Sequence, residues 1–301
     1  MARATSAELA GRALPLEGRK LLAYLELTKP RVTVMIFLVT IAAFRLGSPA
    51  QTDGWRLLWT VAGVGLLAGG IFSLNQYIER DIDAVMRRTG MRPLPRRELK
   101  PREALRFGLA LTILGVAMLG LLVNALSALL AVFTLVGYLF VYTPLKTRTP
   151  YCTLAGAFPG AMPPLLGWAA ARGQMGVEAW ALFAVLFFWQ FPHFHAIARL
   201  YREDYERAGV RMLPVIEASG NRTGWQILLT ALLLVPASVA PALLGLTGSL
   251  YLGGAVLLSL WFLYYGVQSF RVASPRQAQR LLGASIVYLP ALFLLMVLDA
   301  R

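Results

Sequence analysis

Apolar stretches close to the ~20 residues that span a bilayer recur along the whole of this 301-residue chain, and that recurrence limits its fold more than any other feature. In a bilayer core every backbone N–H and C=O must be satisfied inside the protein, so repeated stretches of this length imply helices. Nine transmembrane spans are expected: 30–48, 57–78, 105–123, 125–142, 153–171, 178–198, 225–245, 248–269 and 281–298. The first is bounded by charge, with Lys29 and Arg31 at its start and Arg45 near its end. The unbroken run 105–142 has to be split near Asn124 by a tight turn. Pro159, Pro163 and Pro164 are expected to kink the fifth span. Composition agrees, because 57% of residues are hydrophobic and only 15% are charged, which excludes an ordinary soluble domain. The expected fold is all-α: a polytopic bundle around a central cavity.

Charge placement orients the bundle. If the N-terminus is inside, segments 1–31, 79–106, 143–151, 199–224 and 270–280 face the cytoplasm and hold 25 of the 29 Lys and Arg. The other side holds only Arg45, Arg56, Arg172 and Arg301. The net charge of +14 is then one basic face set against anionic lipid and an anionic substrate, and nucleic acid is not needed to explain it. Residues 1–20 lack the apolar core of a signal peptide and read as a loose cytoplasmic tail. The expected division is a tail over 1–28 and a single transmembrane domain over 29–301. The lone Cys152 excludes a disulfide within the chain and a Cys-based metal site.

The chemistry gathers where the second span meets a basic loop. Asn75, Glu79 and Asp83 are spaced i, i+4, i+8 and share one face if the helix continues, whereas Asp81 points elsewhere. Carboxylates held close repel unless a cation lies between them, and hard oxygen ligands of this kind suit Mg²⁺. Arg87, Arg88, Arg92, Arg96 and Arg97 follow at once. Acid for a metal beside base for an anion is what a diphosphate substrate needs. The bland alternative is a helix end with a solvated charge run.

A second polar loop, 199–224, follows the sixth span and lies on the same side. It mixes Glu203, Asp204 and Glu206 with Arg199, Arg202, Arg207 and Arg211. The chain's two histidines, His193 and His195, precede it at a spacing that puts them on different helix faces. They read either as groups facing a substrate or as hydrogen-bonded side chains at the membrane edge. Phe187, Phe188, Trp189, Phe191 and Phe194 read as a greasy pocket wall or an interfacial aromatic belt. Tyr142-Thr-Pro-Leu-Lys146 adds a third basic connection.

Four segments in order carry a family resemblance over nearly the whole chain. They are Asn75…Glu79-Arg80-Asp81-Ile-Asp83…Arg88…Arg92-Pro-Leu-Pro, Tyr142-Thr-Pro-Leu-Lys146, Trp189-Gln-Phe-Pro-His193-Phe, and Asp204-Tyr…Met212-Leu-Pro214. The chain resembles the protohaem IX farnesyltransferases, or haem O synthases, a branch of the UbiA-type intramembrane prenyltransferase superfamily. It departs from the superfamily pattern in having Glu79 in the middle slot of the first motif and no pair of Asp four apart in the second.

The resemblance implies farnesyl transfer from farnesyl diphosphate to a vinyl group of haem b, with addition of water, giving haem O and diphosphate. Haem b is then a substrate and Mg²⁺ the cofactor. Asn75, Glu79, Asp83 and Asp204 are implied as catalytic residues and metal ligands. Arg80, Arg88, Arg92, Lys146, His193, His195, Arg199, Arg207 and Arg211 are implied as substrate-binding residues. It also implies a bacterial inner membrane location with the active-site loops on the cytoplasmic side, and a haem A synthase or terminal oxidase assembly as partner. Three rival readings remain: a sister enzyme acting on a quinone precursor, a transporter of an anionic lipid, and a haem-binding membrane protein without turnover.

Overall fold

The structure is a computed structural model that describes residues 16–48, 51–217 and 219–301. Those residues are built from helices, and a lone antiparallel bridge, Thr247 to Ala300, is the β pairing among them. In chain order the helices are α1 (Leu16–Leu27), α2 (Pro30–Gly47), α3 (Gly54–Val85), α4 (Pro101–Leu122) and α5 (Ala125–Val136). The last runs through a π-helical segment, Gly137–Tyr142, into α6 (Thr143–Leu145). There follow α7 (Cys152–Gly160), α8 (Met162–Arg172), α9 (Val177–Leu200), α10 (Arg202–Arg207) and α11 (Leu213–Ile216). The chain closes with α12 (Asn221–Leu243), α13 (Ser249–Arg271) and α14 (Pro275–Leu298).

Eight of these are long and apolar enough to cross a membrane: α2, α3, α4, the α5–α6 run, α9, α12, α13 and α14. The expected split of 105–142 falls at Asn124, whose Oδ1 accepts from Ser127 N at 2.8 Å and caps α5. The expected fifth span is instead two short helices, α7 and α8, parted at Ala161. Pro159 cannot donate within α7, and Pro163 stands in the first turn of α8, so the ladder is interrupted there. Gln190 of α9, 3% exposed, donates Nε2 to the Ala157 carbonyl at 3.1 Å beside the break. Such side-chain repair is what irregular backbone inside an apolar bundle requires.

The expected tail also differs. Residues 16–27 form α1, which buries Ala23 and Leu27 against Leu94, Leu99 and Ala104. Residues 1–15 of that tail lie outside the described residues. Gln76 of α3 donates Nε2 to the Leu27 carbonyl at 3.0 Å and fixes the end of α1 beside the acidic segment.

The long α3 positions that segment. Its 32 residues extend about 48 Å, well beyond a hydrocarbon core of about 30 Å. The apolar stretch 57–74 fills the core, so the turns from Asn75 onward project past it. Packing on α4 keeps the helix rigid. A Cβ at Gly115 would stand 2.6 Å from Leu67 N, and one at Gly70 would stand 2.7 Å from Thr112 N, so these backbones touch only because glycine is there.

Candidate active site

Asn75, Glu79 and Asp83 lie on one face of α3 and are buried, at 1%, 7% and 1% exposure. Asp81 turns away, with 86% of its side chain exposed and Arg80 at 3.7 Å. Each buried carboxylate has its own cation. Lys146 Nζ donates to Glu79 Oε1 at 2.6 Å, and Arg92 Nη1 donates to both oxygens of Asp83, at 2.7 and 2.6 Å. Asn75 Nδ2 donates to Thr143 Oγ1 at 3.2 Å, which leaves Asn75 Oδ1 as its free acceptor.

Local backbone chemistry sets these contacts. The π-helical turn before Thr143 brings Lys146 round to α3, and Thr143 Oγ1 donates to the Tyr138 carbonyl at 2.8 Å inside that turn. Lys146 Nζ also sits 4.5 Å from the centre of the Tyr142 ring. Burial opposes the Lys146 charge, but Tyr142 and Glu79 outweigh it and push the pKa up, so the ammonium stays protonated. On the loop after α3, Thr89 Oγ1 donates to the Asp83 carbonyl at 3.0 Å, and successive turns carry Arg92 back over Asp83.

Sequence reasoning missed Lys29. Its φ of 49° and ψ of 63° are left-handed, a conformation costing a non-glycine residue roughly 1–2 kcal/mol. It precedes Pro30, which normally drives a residue to extended backbone, so the turn is doubly unusual. Its Nζ lies 4.9 Å from the centre of the Phe72 ring, one turn before Asn75. Burial lowers its pKa to about 7, helped by Arg92 and Lys146 and opposed by Glu79 and Asp83. The one sequence signal was a lysine placed just before the proline that opens the first span.

The second loop is arranged differently from the expectation. Asp204 accepts the Arg88 backbone N–H at 3.1 Å and pairs with Arg207. Burial would raise its pKa, but the N–H groups of Arg88 and Arg87 and the Arg207 guanidinium hold it below the usual range. Among the described residues no three His, Cys, Asp or Glu side chains gather where they would share a metal ion, so Asp204 does not join Glu79 and Asp83. Glu203 and Glu206 are exposed and line a cleft of about 350 Å³ with Arg87 and Arg207. In effect Asp204 clamps α10 to the Arg87–Arg88 turn.

The remaining candidates scatter. Arg88 donates to Tyr205 Oη at 3.2 Å and covers the Tyr201 ring. Arg80 donates to the Tyr77 carbonyl at 2.8 Å. Arg211 is exposed and gives its backbone N–H to the Lys146 carbonyl at 2.7 Å. Arg199 ties α9 to α13 through the Ser269 carbonyl and hydroxyl, at 2.9 and 2.8 Å. The histidines do face different ways. His193 Nδ1 meets Ser285 Oγ at 2.7 Å and its ring stacks on Trp189, whereas the fully buried His195 meets Gln226 Oε1 at 2.8 Å through Nε2. The Phe187 ring packs among Phe158, Phe183 and Phe191, an aromatic cluster joining α7 to α9.

Eight helices of this length and apolarity, with acid and base gathered at the end of one of them, define a multi-pass membrane protein. Residues 36–296 match the UbiA prenyltransferase family, and the chain belongs to it. The protoheme IX farnesyltransferase of Solibacter usitatus (strain Ellin6076) is 50% identical over 289 residues, covering 92% of this chain and 98% of that one. A solved structure of digeranylgeranylglyceryl phosphate synthase aligns with a TM-score of 0.78 at 20% identity, covering 93% of this chain and 98% of that chain. A UbiA homologue from Archaeoglobus fulgidus, solved with GPP and Mg²⁺ bound, aligns with a TM-score of 0.67 at 16% identity, covering 91% of this chain and 99% of that one. Likeness at such low identity concerns the fold alone.

Proposed function

We propose that this protein transfers the farnesyl group of farnesyl diphosphate to a vinyl group of haem b, with addition of water, giving haem O and diphosphate. One observation carries the reading. In a chain half identical to a protohaem IX farnesyltransferase, the two carboxylates on a buried α3 face are each held by a separate cation. The donor set also fits Mg²⁺: two carboxylates and an amide oxygen on successive turns of one helix, all hard oxygens. Bound by Asn75, Glu79 and Asp83, the metal would supply positive charge against the diphosphate oxygens.

The rest follows from the chain's own groups. Lys146 and Arg92 hold the carboxylates in the resting site. By turning to the diphosphate they free both carboxylates and meet the charge that grows on the leaving group. Ionisation of the C–O bond leaves an allylic cation. Phe72, Tyr138 and Tyr142 form an edge-to-face series beside the site, with centroids 6.2 and 5.2 Å apart, and their ring faces favour positive charge while excluding water. The terminal vinyl carbon attacks the cation, and water adds to the carbocation left on the haem side and loses a proton. Arg88 and Arg207, exposed at the same edge, are proposed to meet the haem propionates. Asp204 acts in this reading by holding the Arg87–Arg88 turn.

The finer topology belongs to the same proposal. The chain crosses nine times around a central cavity, with α7 and α8 in tandem making the fifth crossing, and its N-terminus and the polar loops are cytoplasmic, at a bacterial inner membrane. Residues 29–301 act as one domain, and a haem A synthase or oxidase assembly takes the product. Purified protein given Mg²⁺, farnesyl diphosphate and either haem b or 4-hydroxybenzoate tests the activity. Pyrophosphate release with haem b alone is expected. Release with 4-hydroxybenzoate alone would move the reading to the quinone branch, and no release with either would favour a transporter.

A further inference from the structure

The site holds two buried carboxylates and three cations, and two of the cations are already engaged. Lys146 sits on Glu79 and Arg92 on Asp83. Lys29 is the third. Among the described residues no carboxylate lies within ion-pair distance of its ammonium, and its close neighbour is the Phe72 ring at 4.9 Å. The charges acting on it are those of the same cluster: Arg92, Lys146, Glu79 and Asp83.

The backbone keeps it there at a cost. Lys29 is one of two non-glycine residues with positive φ among those described. The strained turn is pinned on both sides. Lys29 N donates to the Glu26 carbonyl at 3.1 Å, and the Lys29 carbonyl accepts from Val32 and Thr33 at 2.9 and 3.1 Å. Thr33 Oγ1 donates to the Thr28 carbonyl at 2.9 Å, and Arg96 holds the Glu26 carboxylate at 3.0 Å. Strain that the surroundings over-determine in this way marks a side chain aimed for use.

We propose that Lys29 captures the diphosphate group first, before the Glu79–Lys146 and Asp83–Arg92 pairs open and without a metal. This rests on the diphosphate reading of the site. An arriving anion can contact Lys29 without displacing a carboxylate, whereas Lys146 and Arg92 must each break an ion pair. Once the anion is seated its charge competes for those two cations, and the carboxylates become available as ligands. Lys29 therefore sets the order of events: anion, then pair opening, then metal.

The test is binding by the full chain in phosphatidylcholine nanodiscs with EDTA present, using inorganic pyrophosphate and then farnesyl diphosphate as probes in calorimetry. The wild type is expected to bind both without metal. Lys29→Met keeps the stem and the strain but removes the charge, and Lys29→Gly removes both. Each should weaken binding by about 10- to 100-fold, the scale of one hydrogen bond to a charged group, and Lys29→Arg should retain most of it. Lys29→Met binding like the wild type would overturn the proposal. So would Lys29→Gly binding normally while Lys29→Met fails, since the turn and not the charge would then matter. Wild-type binding of pyrophosphate only with Mg²⁺ would overturn the order while keeping the site. No binding under any condition would remove the diphosphate reading itself.

Discussion

Replacing Asp83 by Asn separates chemistry from folding at the centre of the site. Asp83 is 1% exposed and takes both hydrogen bonds from Arg92 Nη1, at 2.7 and 2.6 Å. The amide retains one acceptor and the same volume, so no cavity forms. What is lost is one charge-assisted hydrogen bond, worth about 1.5–3 kcal/mol in general. Arg92 is 20% exposed on its side chain and recovers water when released, so the expected stability loss is about 1–2 kcal/mol, below the ~3–5 kcal/mol of a stranded buried charge. Turnover should fall much further, by about 10²–10³-fold or more, the scale for removing one electrostatic group from a transition state. The assay is farnesylated haem by mass spectrometry beside a thermal melt of the same sample. Asp81→Asn is the control, because that side chain is 86% exposed and points off the shared face. Near-wild-type turnover in Asp83→Asn, or an equal loss in Asp81→Asn, would refute the assignment of the α3 face.

Three further outcomes are expected. Lys146→Met leaves Glu79 buried without its cation, so it should destabilise the protein by about 3–5 kcal/mol, and pyrophosphate should raise the melting temperature of the wild type more than that of the variant. Asp204→Ala should reduce activity less than Asp83→Asn and should raise amide exchange at Arg88, whose N–H it accepts; a total loss of activity with Arg88 still protected would return Asp204 to the chemistry. Glu217 accepts N–H groups from Arg222 and Thr223 at 2.7 and 2.9 Å and caps α12. Burial opposes its ionisation, but those N–H groups and the Thr223 hydroxyl hold its pKa below the ordinary 4.5. A lowered carboxylate stabilises fully above the ordinary value and loses the effect as pH falls through the lower, folded value. Exchange protection at Thr223 should therefore persist at pH 4.5 and collapse only in stronger acid, and early loss on approaching 4.5 would contradict the cap.

The α3 face was legible because period and burial agree there. A helix that leaves a charge-free run and continues must bring Asn75, Glu79 and Asp83 together and send Asp81 away. Asn124 was legible for the same kind of reason, as a strong capping residue near the middle of an apolar block too long for one span. The partners were not legible. Five arginines follow α3, and nothing in their spacing says that Arg92 reaches Asp83 while Arg88 turns to Tyr205, because the loop's turns decide it. Lys146 could be listed as a cation, but its pairing with Glu79 depends on a π-helical turn that apolar sequence conceals. Asp204 reads two ways for a physical reason. A carboxylate among arginines reads as half of a metal site, yet backbone N–H groups satisfy it equally well. Proline signalled trouble in the fifth span, but its place in the sequence does not reveal the buried Gln190 that donates to the Ala157 carbonyl beside the break. Lys29 was hidden because its backbone breaks the rule that sequence reading relies on before a proline.

The most direct measurement is the mass of haem extracted from membranes of a host that lacks haem O and expresses this chain. Haem b should be converted to its hydroxyethylfarnesyl derivative, with the added mass of farnesyl plus water, and no conversion should occur with Asp83→Asn. Unaltered haem b beside a prenylated quinone precursor, or unaltered haem b with no prenyl product at all, would contradict the proposed function.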